Sequence, residues 1–233
     1  MSVDERMVHD IVQKVMANMQ ISGSVSGMHG VFKDMNDAIN ASIEAQKKVC
    51  TMTLDQREQI ISLIRKKTHE NAEILANMGV NETGMGNVGD KILKHHLTAD
   101  KVPGTEDIST IAWSGDRGLT LVEMGPFGVI GAITPATNPS ETVICNCIGM
   151  LAGGNTVVFN PHPNAKKTTI YTINMINEAS IEAGGPDNIA VTVEAPTLDT
   201  SAIMMKHPSI HLLVATGGPG VVTAVLSSGK RAI

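Results

Sequence analysis

Aromatic residues and positive charge are both scarce in this chain. Its 233 residues include one tryptophan, one tyrosine and three phenylalanines, and the formal net charge is −5. Proteins that bind single-stranded nucleic acid need aromatic rings for stacking and a basic groove for the phosphates. The composition therefore argues against nucleic acid as a partner, and it predicts an aliphatic core in which methionine fills irregular gaps.

Long apolar runs are absent, and so is an N-terminus with the charged and apolar regions of a secretory signal. A membrane-spanning helix needs about 20 consecutive apolar residues, which no stretch here supplies. These absences argue against a membrane partner and predict a cytoplasmic protein.

Cysteine is rare, with only Cys50, Cys145 and Cys147. Cys145 and Cys147 lie two positions apart on a predicted helix and so face different sides of it. A CxC pair without a second cluster of cysteine or histidine is too weak a signal for metal. We interpret all three as small buried apolar residues of a reduced protein, and we predict no metal site.

One βαβ unit is readable between Gly125 and Pro163. Phe127 to Thr134 has the pattern of a strand buried on both faces of a parallel sheet. Pro135, Asn138 and Pro139 then break the backbone before a helix, and the next apolar run begins at Thr156. Ligands of open parallel sheets bind outside the carboxyl ends of the strands, so the turn that holds Asn138 is the expected place for chemistry.

The alternation of helix and strand continues to the end of the chain. It predicts the helix 165–183, the strand 189–193, the helix 200–206, the strand 210–215 and a helix from Val221. The fold class is therefore α/β, with a Rossmann-like doubly wound parallel sheet. No GxGxxG motif is present, and the glycines after Thr216 are by themselves a weak signal for phosphate.

The segment from Val31 to about Asp100 is predicted to be helical and to precede the sheet. Thr53 and Gln56 have the spacing of a capping box, and the apolar pattern after them predicts one long helix that ends near Gly84. His95 and His96 are adjacent and so face different sides of a helix, which argues against a shared metal. Residues 119–123 read as a separate strand.

Several motifs resemble the aldehyde dehydrogenase superfamily, and within it the coenzyme A-acylating enzymes of ethanolamine and propanediol microcompartments. The motifs are ETGMG (82–86), TPATNPS (134–140), GNTVV (154–158), NPHP (160–163), AGGP (183–186) and TGGPG (216–220). The resemblance covers nearly the whole chain from about Gly30, but only about the N-terminal half of a family member. It implies a chain truncated before the catalytic domain, without the nucleophilic cysteine and inactive alone.

The resemblance also implies an activity and a set of site residues. The complete protein would oxidise a short-chain aldehyde to its acyl-CoA with reduction of NAD, through a thioester on a cysteine downstream of this chain. Asn138 would donate a hydrogen bond to the oxyanion. The residues implied at NAD and coenzyme A are Thr134, Pro135, Ala136, Asn160, His162, Thr216, Gly217 and Gly218. The strand at 119–123 would belong to the hairpin through which family members form homo-oligomers.

Two departures from the wider superfamily concern the cofactor. The turn has one more residue between Pro135 and Asn138 than the usual Pro-Trp-Asn, which changes the neighbours of Thr134 and Ala136. NPHP replaces the usual lysine and glutamate that hold the adenosine ribose. His162 between two prolines offers a flat surface for an adenine, which NAD and coenzyme A both carry; alternatively, His162 is structural and Asn138 only shapes the turn.

The first thirty residues read as a separate piece. Residues 1–20 form an amphipathic helix by apolar spacing, and residues 21–30 form a linker rich in serine and glycine. This arrangement resembles the encapsulation peptides that carry enzymes into bacterial microcompartments by docking on the shell. The alternative is a helix that packs on its own enzyme or in an oligomer contact.

Three functional interpretations stay open from the sequence. They are an acylating aldehyde dehydrogenase, a hydrolytic aldehyde or semialdehyde dehydrogenase, and a noncatalytic fragment that binds a cofactor or docks on a shell. Dependence on coenzyme A separates the first two, while the aldehyde itself and the choice between NAD and NADP are not readable.

Overall fold

The computed structural model describes residues 27–233, and the predicted helix 1–20 and residues 21–26 of the linker lie outside them. In chain order the elements are β1 (Val31–Phe32), α1 (Met35–Val49), α2 (Leu54–Glu70), α3 (Ala72–Thr83), α4 (Val88–Lys101), β2 (Ile111–Gly115), β3 (Gly118–Val122), β4 (Val129–Thr134), α5 (Pro139–Ala152), β5 (Thr156–Pro161), α6 (Lys166–Glu182), β6 (Ala190–Val193), α7 (Leu198–Lys206), β7 (Ile210–Ala215), α8 (Pro219–Leu226) and β8 (Arg231–Ala232). Short 3₁₀ helices lie at Thr105–Asp107 and Pro163–Ala165.

The main sheet has six strands in the order β1-β6-β5-β4-β7-β8, and all neighbouring pairs are parallel. The chain moves from β4 to β5 and β6 on one side, and then returns through α7 to β7 on the other side of β4. The predicted α/β doubly wound sheet preceded by helices is confirmed. The reversal at β4 opens a crevice at the carboxyl ends of β4, β5 and β7.

Each face of the sheet has its own apolar core. Alternate side chains of β5 point to opposite faces, so Val157 and Phe159 pack with α2, α5 and α6, whereas Val158 packs with α1 and α7. Both cores are mainly aliphatic, as the composition predicts. A strand buried on both faces is what the apolar run ending at Thr134 predicts, and every residue of β4 is buried or half-buried.

The helical segment differs from its prediction at two points. The expected long helix is broken at Asn71 into α2 and α3. The Asn71 side-chain Nδ2 donates to the carbonyl of Lys67 at 2.8 Å, and Asn71 Oδ1 accepts from the Tyr171 hydroxyl at 2.8 Å. Gly84 ends α3 in a left-handed conformation with φ 69°, as expected.

The second difference is that the sheet begins earlier than predicted. Val31 and Phe32 form an edge strand on β6. His29 and Gly30, which the sequence assigned to the linker, belong to the folded body: the His29 backbone N–H donates to Asn174 at 2.8 Å, and the Gly30 carbonyl accepts from Thr192 at 2.8 Å. Gly30 has φ 74°, and a Cβ there would lie 2.4 Å from the Ala190 oxygen.

Strands β2 and β3 form an antiparallel hairpin whose ten residues are all exposed. Register places Ile111, Trp113 and Val122 on one face and Ala112, Leu119 and Leu121 on the other. Both faces of this hairpin therefore present large apolar side chains to solvent. Among the helices of residues 27–233, none combines the length and the apolar character that a membrane crossing requires.

Candidate functional site

A groove of about 440 Å³ lies at the carboxyl ends of β4, β5 and β7. All eight residues that the resemblance implied at a cofactor line it: Thr134, Pro135, Ala136, Asn160, His162, Thr216, Gly217 and Gly218. The remaining lining residues are Ile133, Thr137, Pro161, Pro163, Thr197, Leu198, Ser201 and Val221. None of the lining side chains is an Asp, Glu, Lys or Arg, so a ligand here meets hydroxyls, backbone and apolar surface.

The floor of the groove is tied together by backbone bonds between strand ends. The His162 N–H donates to the Thr134 carbonyl at 3.0 Å, and the Thr216 N–H donates to the Ile133 carbonyl at 3.0 Å. Thr134 is 1% exposed, and its hydroxyl has no hydrogen-bond partner within residues 27–233. Buried hydroxyls are normally paired, so this one fits a polar ligand atom in the groove.

Asn160 and His162 contribute differently at the end of β5. The Asn160 amide is fully engaged with α7, since its Nδ2 donates to Ser201 Oγ at 2.6 Å and its Oδ1 accepts from the Thr200 hydroxyl at 2.7 Å. Asn160 therefore fixes the groove wall. The His162 residue is exposed, and its ring Nδ1 accepts from the Asn164 N–H at 3.2 Å.

The third wall is the turn from β7 into α8. Gly218 is the N-cap residue of α8, and a Cβ built there would have no heavy atom within 4 Å, so the backbone is open to a ligand. A helix N-terminus carries a partial positive charge. Pro219 has no N–H and the Val221 N–H donates to the Gly218 carbonyl, so within the first turn of α8 the Gly220 N–H is the one that can meet a ligand. These features suit a phosphate in a groove that has no cationic side chain.

Asn138 lies beside the groove rather than in its lining. Thr137, the preceding residue, lines the groove, and α5 begins one residue after Asn138. The Asn138 carbonyl accepts from the Thr142 N–H at 3.1 Å, but its side chain makes no capping bond to α5. Instead, its Oδ1 accepts from Lys94 Nζ at 3.1 Å.

A buried polar network under this turn was not predicted from the sequence. Lys91 Nζ donates to Glu141 Oε1 at 3.1 Å and to the Thr137 carbonyl at 2.9 Å. The Ser140 hydroxyl lies 3.2 Å from Glu141 Oε2 and 2.8 Å from His95 Nε2. Burial lowers the pKa of His95, with the Glu141 carboxylate acting in the opposite direction.

The signal that could have found this network is faint. Lys91 and His95 stand at i and i+4 and so share a helix face. Nothing in the local pattern says that this face is buried against Glu141, whose position one turn into another helix is set by tertiary packing.

The cysteines do not line the groove, and only one is buried. Cys147 is 2% exposed, and burial raises the pKa of its thiol. Cys50 and Cys145 are exposed, so the expectation that all three are buried is wrong for these two. They lie at a helix end and on the outward side of α5, where the adjacent packing does not cover them. The packing around Cys145 still raises the pKa of its thiol.

The groove and the sheet order define an α/β protein with a groove at the switch point of a parallel sheet, the place where ligands of such folds bind. The sequence pattern of the Aldehyde dehydrogenase family matches residues 17–233. The chain belongs to the aldehyde dehydrogenase family.

The chain is similar to several acylating members of this family. It is 46% identical over 227 residues to the acetaldehyde dehydrogenase (acetylating) of Bilophila wadsworthia, covering 94% of this chain and 46% of that protein. The chain thus spans about half the length of that relative.

Two solved structures show the same fold. One is a propionaldehyde dehydrogenase from the fucose utilisation microcompartment of Clostridium phytofermentans, with a TM-score of 0.87 and 73% identity over 88% of this chain and 47% of that one. The other is the propionaldehyde dehydrogenase of Rhodopseudomonas palustris with bound propionyl-CoA, with a TM-score of 0.85, 48% identity and coverage of 88% and 46%.

Proposed function

We propose that the protein containing this chain oxidises a short-chain aldehyde to its acyl-CoA with NAD as hydride acceptor. The observation that carries the proposal is the groove: the eight residues implied at a cofactor, scattered over 85 positions from Thr134 to Gly218, line one cavity. The similarity to acetylating and propionyl-CoA-binding relatives supports the acyl-CoA product.

The groove fits a nicotinamide dinucleotide by its chemistry. Bound there, the dinucleotide supplies the acceptor for the hydride that leaves the aldehyde carbon. The open backbone at Gly218 would hold its phosphates at the start of α8, and the unpaired Thr134 hydroxyl would bond a polar atom deeper in the groove. The absence of charged lining makes backbone N–H groups the expected phosphate ligands.

Asn138 is proposed to stabilise the oxyanion that forms when a thiol adds to the aldehyde. Its side-chain Nδ2 makes no hydrogen bond to the described part of the chain, while Oδ1 is held by Lys94. An amide donor placed where negative charge develops lowers the barrier without reorganisation of solvent.

His162 is proposed to provide one surface for the adenine of both NAD and coenzyme A. His162 is exposed, follows Pro161 and precedes Pro163, and all three residues line the groove. Because both ligands carry adenine, one pocket would serve them in turn, so their binding would be competitive.

Partners are proposed from the hairpin and the N-terminus. The two apolar faces of β2 and β3 fit a second copy of this chain, since a monomer would leave Trp113 58% exposed and Leu119 65% exposed. Residues 1–20 are proposed to dock on a microcompartment shell in the cytoplasm, an idea supported by the origin of the Clostridium relative.

Asn138→Ala in the full-length gene product should lower kcat about a hundredfold, the scale seen when one oxyanion donor is removed, with little change in KM. Asn138→Asp is the matched variant, because it keeps the side-chain size and the oxygen acceptor but loses the N–H donor. Its kcat should fall as far as that of Asn138→Ala. Steady-state NADH formation with acetaldehyde and coenzyme A measures both; unchanged kcat in either variant would contradict the catalytic role.

His162→Ala should weaken the affinity for NAD and the affinity for coenzyme A by a similar factor, about threefold to tenfold, because a single stacking surface is worth about 1 kcal/mol. Calorimetric titration of the full-length gene product with each ligand gives the values. His207→Ala is the control, since His207 likewise accepts a backbone N–H two residues ahead. Loss of affinity for one ligand only would rule out the shared pocket.

Leu119→Lys should shift the full-length protein to a smaller species in light scattering coupled to size exclusion, because the charge must be desolvated in the paired hairpin. Ile74→Lys, at an exposed position of α3, serves as the control and should leave the mass unchanged. A monomeric parent protein, or an unchanged mass for Leu119→Lys, would refute pairing through the hairpin.

Deletion of residues 1–20 should abolish co-purification with microcompartment shells while leaving groove affinity for coenzyme A intact, because the groove is built from residues 133–221. Full retention with the shells after the deletion would exclude these residues as the docking segment.

A further inference from the structure

Helix α4 approaches the Asn138 turn with two lysines that stand three residues apart. Lys91 and Lys94 share a face of the helix, and each donates to a different group of the turn. One reaches the backbone and the other reaches the side chain of Asn138.

Lys91 fixes the backbone of the turn. Its side chain is 3% exposed, and its Nζ is partnered by the Thr137 carbonyl and by Glu141. A buried ammonium is tolerated only where such partners are in place, so the turn has one position relative to α4.

Lys94 acts on the orientation of the Asn138 amide. An ammonium can only donate, so the amide atom that faces Lys94 must be the oxygen. The Nδ2 group then points away from Lys94, and no described residue accepts a hydrogen bond from it. Without a donor at position 94, the two orientations of the amide would differ little in energy.

We infer that Lys94 is a positioning residue that holds the Asn138 amide with Nδ2 presented for donation. The inference rests on the proposed function of Asn138, since the orientation matters only if Nδ2 meets the oxyanion. Lys94 itself is exposed on α4, so its substitution leaves the cores intact.

Three substitutions separate the hydrogen bond from the charge. Lys94→Gln removes the charge and keeps an N–H for Oδ1, while its own oxygen can also accept from Nδ2. Lys94→Met removes both, and Lys94→Glu replaces the donor with an acceptor that binds Nδ2 and reverses the amide. Lys101→Met, two turns along the same helix and exposed, is the control for loss of a lysine.

We expect kcat in the full-length gene product to fall in the order Gln, Met, Glu. The Gln variant should lose less than twofold and the Met variant about twofold, because two orientations of equal energy leave about half of the amides productive, and the Glu variant should approach Asn138→Ala. The KM for aldehyde and the melting temperature should not move, because the contact is exposed and acts on the transition state. The Lys101→Met control should match the parent.

Two results would overturn the inference. The first is that Lys94→Met and Lys94→Glu are no slower than Lys101→Met while Asn138→Ala is strongly impaired. Asn138 would then stabilise the oxyanion without help from Lys94. The second is that Lys94→Gln is as slow as Lys94→Met and that high salt abolishes the difference in kcat between each variant and the parent. The effect of Lys94 would then come from its charge alone. Full activity of Asn138→Ala would instead remove the proposed function, and the inference with it.

Discussion

Parallel pairing of β4 with β5 on one side and β7 on the other is the constraint on which the site depends. It brings the ends of three strands, and the turns that follow them, to one edge of the sheet. The pairing is close: a Cβ at Gly131 in β4 would lie 2.9 Å from Leu213 and 3.1 Å from Met204, so glycine lets β7 and α7 pack tightly over the strand. Residues far apart in sequence, such as Thr134 and Gly218, therefore line one groove.

Prediction from the sequence was correct where short-range patterns determine the structure. The strand 210–215 and the capping box at Thr53 follow from short patterns, and both are present. Prediction failed where a feature depends on a contact with a residue distant in the sequence. The helix break at Asn71 depends on a bond to Tyr171, which is 100 positions away, and the burial of Lys91 depends on Glu141 in another helix. Topology predicted the edge of the sheet at which a site is expected, and the family resemblance supplied the individual groove residues. The contact between Lys94 and Asn138 could be found only from the structure.

The groove and the neighbouring Asn138 turn differ in the charge of the side chains that form them. The groove is lined by no Asp, Glu, Lys or Arg side chain, so the affinity proposed for it would come from backbone dipoles, hydroxyls and apolar contact. The turn beside it is held by charges, with Lys91 and Glu141 buried and Lys94 at the surface. In the function proposed above, NAD and coenzyme A would exchange in the groove while the charged contacts hold the Asn138 amide in place. Ligand binding and amide positioning would then fall to separate sets of residues.

The hairpin carries the only tryptophan of the chain, Trp113, with 58% of it exposed and none of it in either core. Intrinsic tryptophan emission therefore reports on the hairpin alone. The sole tyrosine, Tyr171, bonds α6 to the Asn71 break inside the folded body. Two optical probes thus stand in different parts of the molecule, so that association through the hairpin and melting of the helix layer have separate spectroscopic signatures without any added label.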